Sequence, residues 1–168
     1  MPDQMTIKRA QRDAREGKSP STQAGEFVRE EFHHIREGKH GARSAKQAIA
    51  IGLSKARRAG VKLPPPARGK VSEKVRHQAK REYNKGQDNR NGHASRRRSL
   101  ATLQALRREG SASASTRAIS RQTRAAARHR SALERSTAAL KAVRTKGRAG
   151  LPAAGRKAAK TRESNSKL

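Results

Sequence analysis

Glu30, His33, His34 and Glu37 set two carboxylates and two imidazoles within two turns of a predicted helix. Glu30 with His34, and His33 with Glu37, are each four residues apart, the spacing that brings side chains together on one helix face. Such a group could ligate a divalent cation. It does not form the His-Glu-x-x-His pattern, however, and no further ligand set at standard spacing accompanies it, so the expectation is surface charge pairing and no metal. The chain has no Cys, which excludes disulfide scaffolds, zinc-thiolate modules and thiol catalysis. Its glycines do not make the Gly-x-x-x-x-Gly-Lys-Ser/Thr phosphate loop. Ser, His and acidic residues are plentiful, but nothing in the pattern builds the dry concave pocket that a catalytic triad requires. A non-enzyme without a cofactor is expected.

The basic residues carry a stronger signal. There are 42 Lys and Arg against 13 Asp and Glu, for a net charge of +29. Each phosphate neutralised by a cationic side chain releases condensed counterions, so engagement of about six to ten of these residues already gives sequence-independent, steeply salt-dependent binding. Arg outnumbers Lys 27 to 15, which favours bidentate phosphate contacts over point charge. The candidate nucleic-acid ligands are Lys55, Arg57 and Arg58, the cluster Arg96, Arg97 and Arg98, the pair Arg107 and Arg108, and the row Arg117, Arg121, Arg124, Arg128 and Arg135. At 100° per residue the members of that row fall within about 60° of one another around a helix axis. Ile119, Ala126, Leu133 and Leu140 recur every seven residues on the opposite side. Three residues beyond them stand Gln122, His129, Ser136 and Val143, so the second seam of a stable coiled coil is missing and only weak self-association is allowed. Like charges three and four apart repel by a few tenths of a kcal/mol per pair. A helix of this kind is expected to be frayed alone and to gain helix on a polyanion.

Composition decides what can position these groups. Val, Ile, Leu and Phe supply 21 of the 168 residues, below the ~20% under which a highly charged chain stays largely disordered. No apolar run is long enough for membrane insertion. The large apolar residues concentrate between 19 and 63. Ser19-Pro20 reads as an N-cap followed by proline at the first helical position, and Ala24, Phe27, Val28, Phe32 and Ile35 then recur at helical spacing, predicting a helix over 20–37. Ser44 and Gln47 have capping-box form ahead of Ala48, Ile49, Gly52, Leu53 and Ala56. The Ala-Ile-Ala-Ile alternation there also suits a strand, but a capped segment of about 15 good helix formers favours helix. Gly38 to Gly41 becomes the turn of a helical hairpin, which Leu63-Pro64-Pro65-Pro66 ends.

A hairpin of about 45 residues barely offsets chain entropy. The weakly amphipathic stretch with Ile7, Ala10 and Ala14 is expected to pack across its open side, unless two copies pair. The expectation is therefore an all-α chain: a flexible or weakly helical start (1–18), a hairpin module (19–63), a Pro-rich linker (64–70), basic helical segments with disordered linkers (71–146) and a disordered basic tail (147–168). Within the fourth part, Val71, Val75, Ala79 and Tyr83 mark a short helix stopped by Asn84 and Gly86. Residues 87–93 read as a linker, residues 96–109 as a further helix, and residues 116–146 as the longest one.

The stretch from Ser19 to Arg57, above all Lys46-Gln47-Ala48-Ile49-Ala50-Ile51-Gly52-Leu53-Ser54, resembles a family of small basic bacterial proteins of unknown function. The resemblance implies a compact helical unit and a bacterial cytoplasm, and it transfers no catalytic or binding residue. The Ala- and Lys-rich end looks like the tails of linker-histone-like bacterial proteins in composition. The expected function is non-catalytic association with nucleic acid through the phosphate backbone, with little sequence specificity. DNA in the cytoplasmic nucleoid is the expected partner, RNA a second target, and the hairpin a site for weak self-association. The alternatives are a protein-interaction adaptor acting through the 19–63 hairpin, and an RNA- or ribosome-associated basic protein.

Overall fold

Proline at the start of a helix gives up an N–H that would have no partner there anyway. Helix α2 (Pro20–Arg36) begins in this way, with Ser19 in the extended backbone of an N-cap. The second hairpin helix, α3 (Ala45–Arg58), is helix and not strand. The Gln47 N–H donates to Ser44 Oγ at 3.2 Å, and the Gln47 side chain turns back to accept from the Arg43 N–H at 2.9 Å. These bonds satisfy donors that the first helical turn leaves free. The remaining elements are α1 (Gln4–Arg15), α4 (Glu73–Gln87), α5 (Arg96–Arg107), a single 3-10 turn at Ala112–Ala114, α6 (Thr116–Arg128) and α7 (Ala132–Ser166). This computed structural model describes residues 2–88 and 95–166, and within them the fold is all-α. The described residues fall into two units, divided between Gln122 and Thr123.

In the first unit the apolar faces of α2 and α3 make two clusters. Phe27 and Ala24 pack with Ala56, Val61 and, from α1, Ala10 and the partly buried Ile7. The first helix thus lies across the open side of the hairpin, the first of the two arrangements anticipated for it. Phe32 and Ile35 pack with Ala42, Ala45 and Ala48 at the turn end, joined by Ala114 and the partly buried Ile119. Ile119 is therefore used against the hairpin, whereas Leu133 and Leu140, its supposed companions in a helical seam, are exposed.

Helix α3 comes close to α2 at Gly52, where a Cβ would stand 2.6 Å from Val28 Cα and 2.9 Å from Val28 Cγ2. Backbone cannot yield as a flexible side chain can. Gly52→Ala is expected to destabilise the fold by about 1–3 kcal/mol as an overpacking substitution, despite alanine's better helix propensity. Its urea midpoint against that of the natural chain checks this; a midpoint equal or higher would show that the helices part at little cost.

More of the chain joins this unit than the 19–63 hairpin. Helix α4 buries Ala79 and ties to α3 where Ser54 Oγ donates to Glu82 Oε1 at 2.7 Å and Gln87 Nε2 donates to the Gly60 carbonyl at 3.2 Å. Gly86, read as a stop, lies inside α4 at its tightest approach to the Arg57 carbonyl, which any Cβ there would strike. The end of α5 is fastened to the hairpin turn: the Gly41 N–H donates to the Leu106 carbonyl at 2.9 Å and the Ala42 N–H to that of Gly110 at 3.2 Å. Of the linker expected over 87–93, residues 89–93 lie outside the described residues.

The helix expected over 116–146 is interrupted. Ser131 Oγ accepts from the Glu134 N–H at 3.1 Å while Glu134 Oε2 accepts from the Ser131 N–H at 2.8 Å. This reciprocal capping box starts a new helix and ends α6 at Arg128. Past Gly147 (φ 65°, ψ 177°), where the helix breaks, residues 148–166 are helical rather than irregular. Ala, Lys and Arg dominate that segment and all favour helix. Among the described residues no helix is long and apolar enough to cross a membrane.

Candidate nucleic-acid interface

Four anions of the hairpin half are paired close to home. Asp13 and Glu16 each meet Lys18 at 2.7 Å, Glu26 meets Arg9 at 3.9 Å and Glu37 meets Lys39 at 3.0 Å. The Lys39 ammonium hydrogen-bonds Glu37 and holds its carboxyl below the ordinary range, and the Glu37 carboxylate raises Lys39 in turn. Asp13 and then Glu16 raise Lys18 by the same means.

The candidate cations divide by place. Arg96, Arg97 and Arg98 form the exposed first turn of α5, and Arg107 and Arg108 stand exposed at its end. The bonds from Gly41 to Leu106 and from Ala42 to Gly110 set that end against the hairpin turn, beside the exposed Arg43. Arg36 Nε donates to the Ala114 carbonyl at 3.1 Å, fastening the start of α6 and the exposed Arg117 to the same end of the unit. On α6, Arg117, Arg121, Arg124 and Arg128 recur at spacings of four, three and four and are all exposed. Among the described residues no ion pair joins any of these arginines to a carboxylate. Arg135, expected as the fifth member of the row, belongs to α7, and its guanidinium donates to the Arg130 carbonyl at 3.1 Å.

Two of the expected ligands are turned to other uses. Lys55 reaches inward, its ammonium 2.6 Å from Glu31 Oε2. Arg57 is buried, with Nε donating to the Leu63 carbonyl at 3.3 Å. Desolvation pushes the Arg57 guanidinium below its ordinary pKa, partly offset by Glu82. Both were expected to extend the basic surface. Their positions on α3 face other elements, so only Arg58 of that group is exposed.

A second constellation was only half visible in the sequence. Glu30 and His34 do approach, at 3.9 Å, but they are enclosed, with side-chain exposures of 4% and 12%, so surface pairing does not describe them. Glu31, fully buried, and His40 from the turn join them, with His40 Nε2 3.4 Å from Glu31 Oε1. Asp3, at the start of the chain, brings Oδ2 to 3.4 Å from His34 Nε2, and its N–H donates to Glu30 Oε1 at 3.2 Å. A cleft of about 350 Å³, lined in part by Asp3, Glu30, His33 and His34, opens beside them. The signal for Glu31 was in the helical pattern: it stands four residues from both Phe27 and Ile35, in the middle of the apolar stripe.

No curated protein and no solved structure matches the chain. Residues 20–68 match a family of unknown function (DUF6496), a segment that holds α2, α3, the proline run and the buried Glu31–His40–Lys55 constellation, and that stops short of the arginine-bearing helices α5 and α6.

Proposed function

We propose that this protein is a non-catalytic nucleic-acid-associated protein that binds duplex DNA of the cytoplasmic nucleoid through its phosphate backbone. The observation that carries the reading is the placement of the surplus charge. Exposed guanidinium groups on α5 and α6 are joined to no carboxylate among the described residues, while Asp13, Glu16, Glu26 and Glu37 of the hairpin half are each met by a nearby cation. An uncompensated row of like charges costs helix stability, and a phosphate backbone reverses the sign of that cost. Little base readout is expected, because Phe27 is core, Phe32 is buried, and Tyr83 leaves no aromatic platform for stacking. The folded first unit holds the C-terminal end of α5 and the start of α6 in place, so part of the binding surface is presented on a scaffold.

The test is binding of the full chain to duplex DNA, single-stranded DNA and a structured RNA over a salt series from 50 to 300 mM. The expected result is tightest binding to duplex DNA with little dependence on sequence. The logarithm of affinity should fall against the logarithm of salt with a slope near −5 to −9, corresponding to about six to ten phosphates. Preference for structured RNA at matched salt would move the target to RNA. Failure to bind any of the three at 50 mM would overturn the reading.

A further inference from the structure

We propose that Glu31, His34 and His40 form a binding site for one divalent transition-metal ion of the zinc class, seated between α2, the hairpin turn and α3. One ligand atom from each lies within 4.8 Å of the other two. Three features of the geometry point to a shared cation.

The first is separation. His40 Nε2 to Glu31 Oε1 is 3.4 Å, and Glu31 makes no hydrogen bond of normal geometry through either oxygen although it is fully buried. N–H···O bonds cluster between about 2.7 and 3.2 Å. Ligands bound to one zinc at about 2.0–2.1 Å in tetrahedral arrangement stand about 3.4 Å apart. The observed spacing is long for a direct bond and fits two ligands of one ion.

The second is the tautomer. His40 Nδ1 lies 3.1 Å from the Gly41 carbonyl oxygen, which can only accept, so Nδ1 carries the proton. Nε2 is then the nitrogen that faces the Glu31 carboxylate, and in the neutral ring it offers a lone pair there, as a metal ligand must. A backbone carbonyl that fixes the far nitrogen is the usual outer support of a metal-bound histidine. The His34 and His40 rings meet edge to face, 82° apart with centroids at 6.1 Å, as two imidazoles converging on one ion can.

The third is charge. Asp3, Glu30 and Glu31 bring three carboxylates to the cluster; Lys55 meets Glu31, and Arg9, Arg29 and Lys39 line the cleft on the Asp3 and Glu30 side. Lys55 takes Oε2 of Glu31 and leaves Oε1 on the His40 side, so it orients the carboxylate without occupying the site. A divalent cation would give that buried, otherwise unpartnered oxygen its counter-charge. The second group, Asp3 and Glu30 around the same His34, lines the adjoining cleft and gives the ion an entry path. With zinc's preference for nitrogen and carboxylate oxygen in fourfold coordination, Glu30 or a water completes the set. The ion ties the hairpin turn back onto α2, as a structural metal does for a small core.

The full chain, freed of metal by chelation, is titrated with zinc chloride by calorimetry and with cobalt chloride by visible absorption. One ion per chain, the strong visible bands of four-coordinate cobalt, and a rise in Tm of at least about 5 °C at saturating zinc are expected. His34→Ala and His40→Asn should each weaken binding about 100-fold, whereas His33→Ala, an exposed neighbour on the same helix, should leave it unchanged. No saturable binding, or binding insensitive to His34 and His40, overturns the proposal. Should either variant lose its helical circular dichroism, imidazole NMR of the natural chain decides: zinc must shift the His34 and His40 ring signals ahead of those of His33 and His129, and the reverse order overturns it.

Discussion

Replacing Arg117, Arg121, Arg124 and Arg128 together by glutamine is expected to reduce the slope of log affinity against log salt for duplex DNA by about 3.6, or 0.9 for each phosphate contact removed. At 0.1 M salt this corresponds to a loss of up to about 4 × 10³-fold in affinity, an upper figure because neighbouring arginines can take over some contacts. The four residues share one face of α6 and are all exposed. Glutamine is nearly as good a helix former as arginine, and the substitution relieves repulsion at spacings of three and four. A helical signal held or raised in the variant would therefore assign the loss to missing phosphate contacts and not to unfolding. The control removes positive charges from α1 instead, where Arg12 already pairs with Glu16 at 3.8 Å and Arg9 with Glu26 at 3.9 Å. A charge already neutralised by a carboxylate displaces fewer counterions, so an equal number of substitutions there should lower the slope by less. Equal slopes would mean that binding follows net charge alone and that α6 has no special part in it.

The hairpin was legible because its signals are local. Ser19-Pro20 and the Ser44–Gln47 pair mark helix starts through bonds made within a few residues, and the apolar spacing of Phe27, Phe32 and Ile35 fixes which face of α2 turns inward. Helical periodicity states that a face is apolar and says nothing of what covers it. For that reason Ile119 was grouped with Leu133 and Leu140, although it packs against the hairpin and they stay exposed. Gly86 looked like a terminator because glycine weakens helices, yet its role is to admit the Arg57 carbonyl, a contact 29 residues away in sequence. The break after α6 has a local signal in the capping-box pattern Ser131-Ala132-Leu133-Glu134, but the heptad of apolar residues runs straight through it and masks it. Lys55 and Arg57 were read as surface by residue type, and their partners Glu31 and Leu63 come from a different helix and from the proline segment. The buried constellation needed two such long-range facts at once: a carboxylate in an apolar stripe, and a turn histidine folded back over it.

Glu31→Ala is expected to cost about 3–5 kcal/mol of folding stability, because it leaves the Lys55 ammonium in a partly buried place with its nearest anion gone. Glu30 lies 3.9 Å from that ammonium and compensates only in part. Against a total of about 5–15 kcal/mol for a typical domain, this is enough to leave a substantial unfolded fraction at moderate urea. Removing both charges is a different matter. Glu31→Leu with Lys55→Met replaces a desolvated pair by apolar groups of similar length, in contact with the stripe that holds Phe27 and Ile35, and such replacements are commonly neutral or stabilising. The double variant should therefore unfold at a urea midpoint at or above that of the natural chain, with the single variant well below both. The same double variant separates the two roles of Glu31. If the carboxylate is kept only as the partner of Lys55, zinc will affect the double variant as it does the natural chain. If it ligates the ion, the variant will be stable and will no longer gain Tm from zinc. A single-variant cost under about 1 kcal/mol would show instead that water reaches the cluster and that the pair behaves as an exposed one.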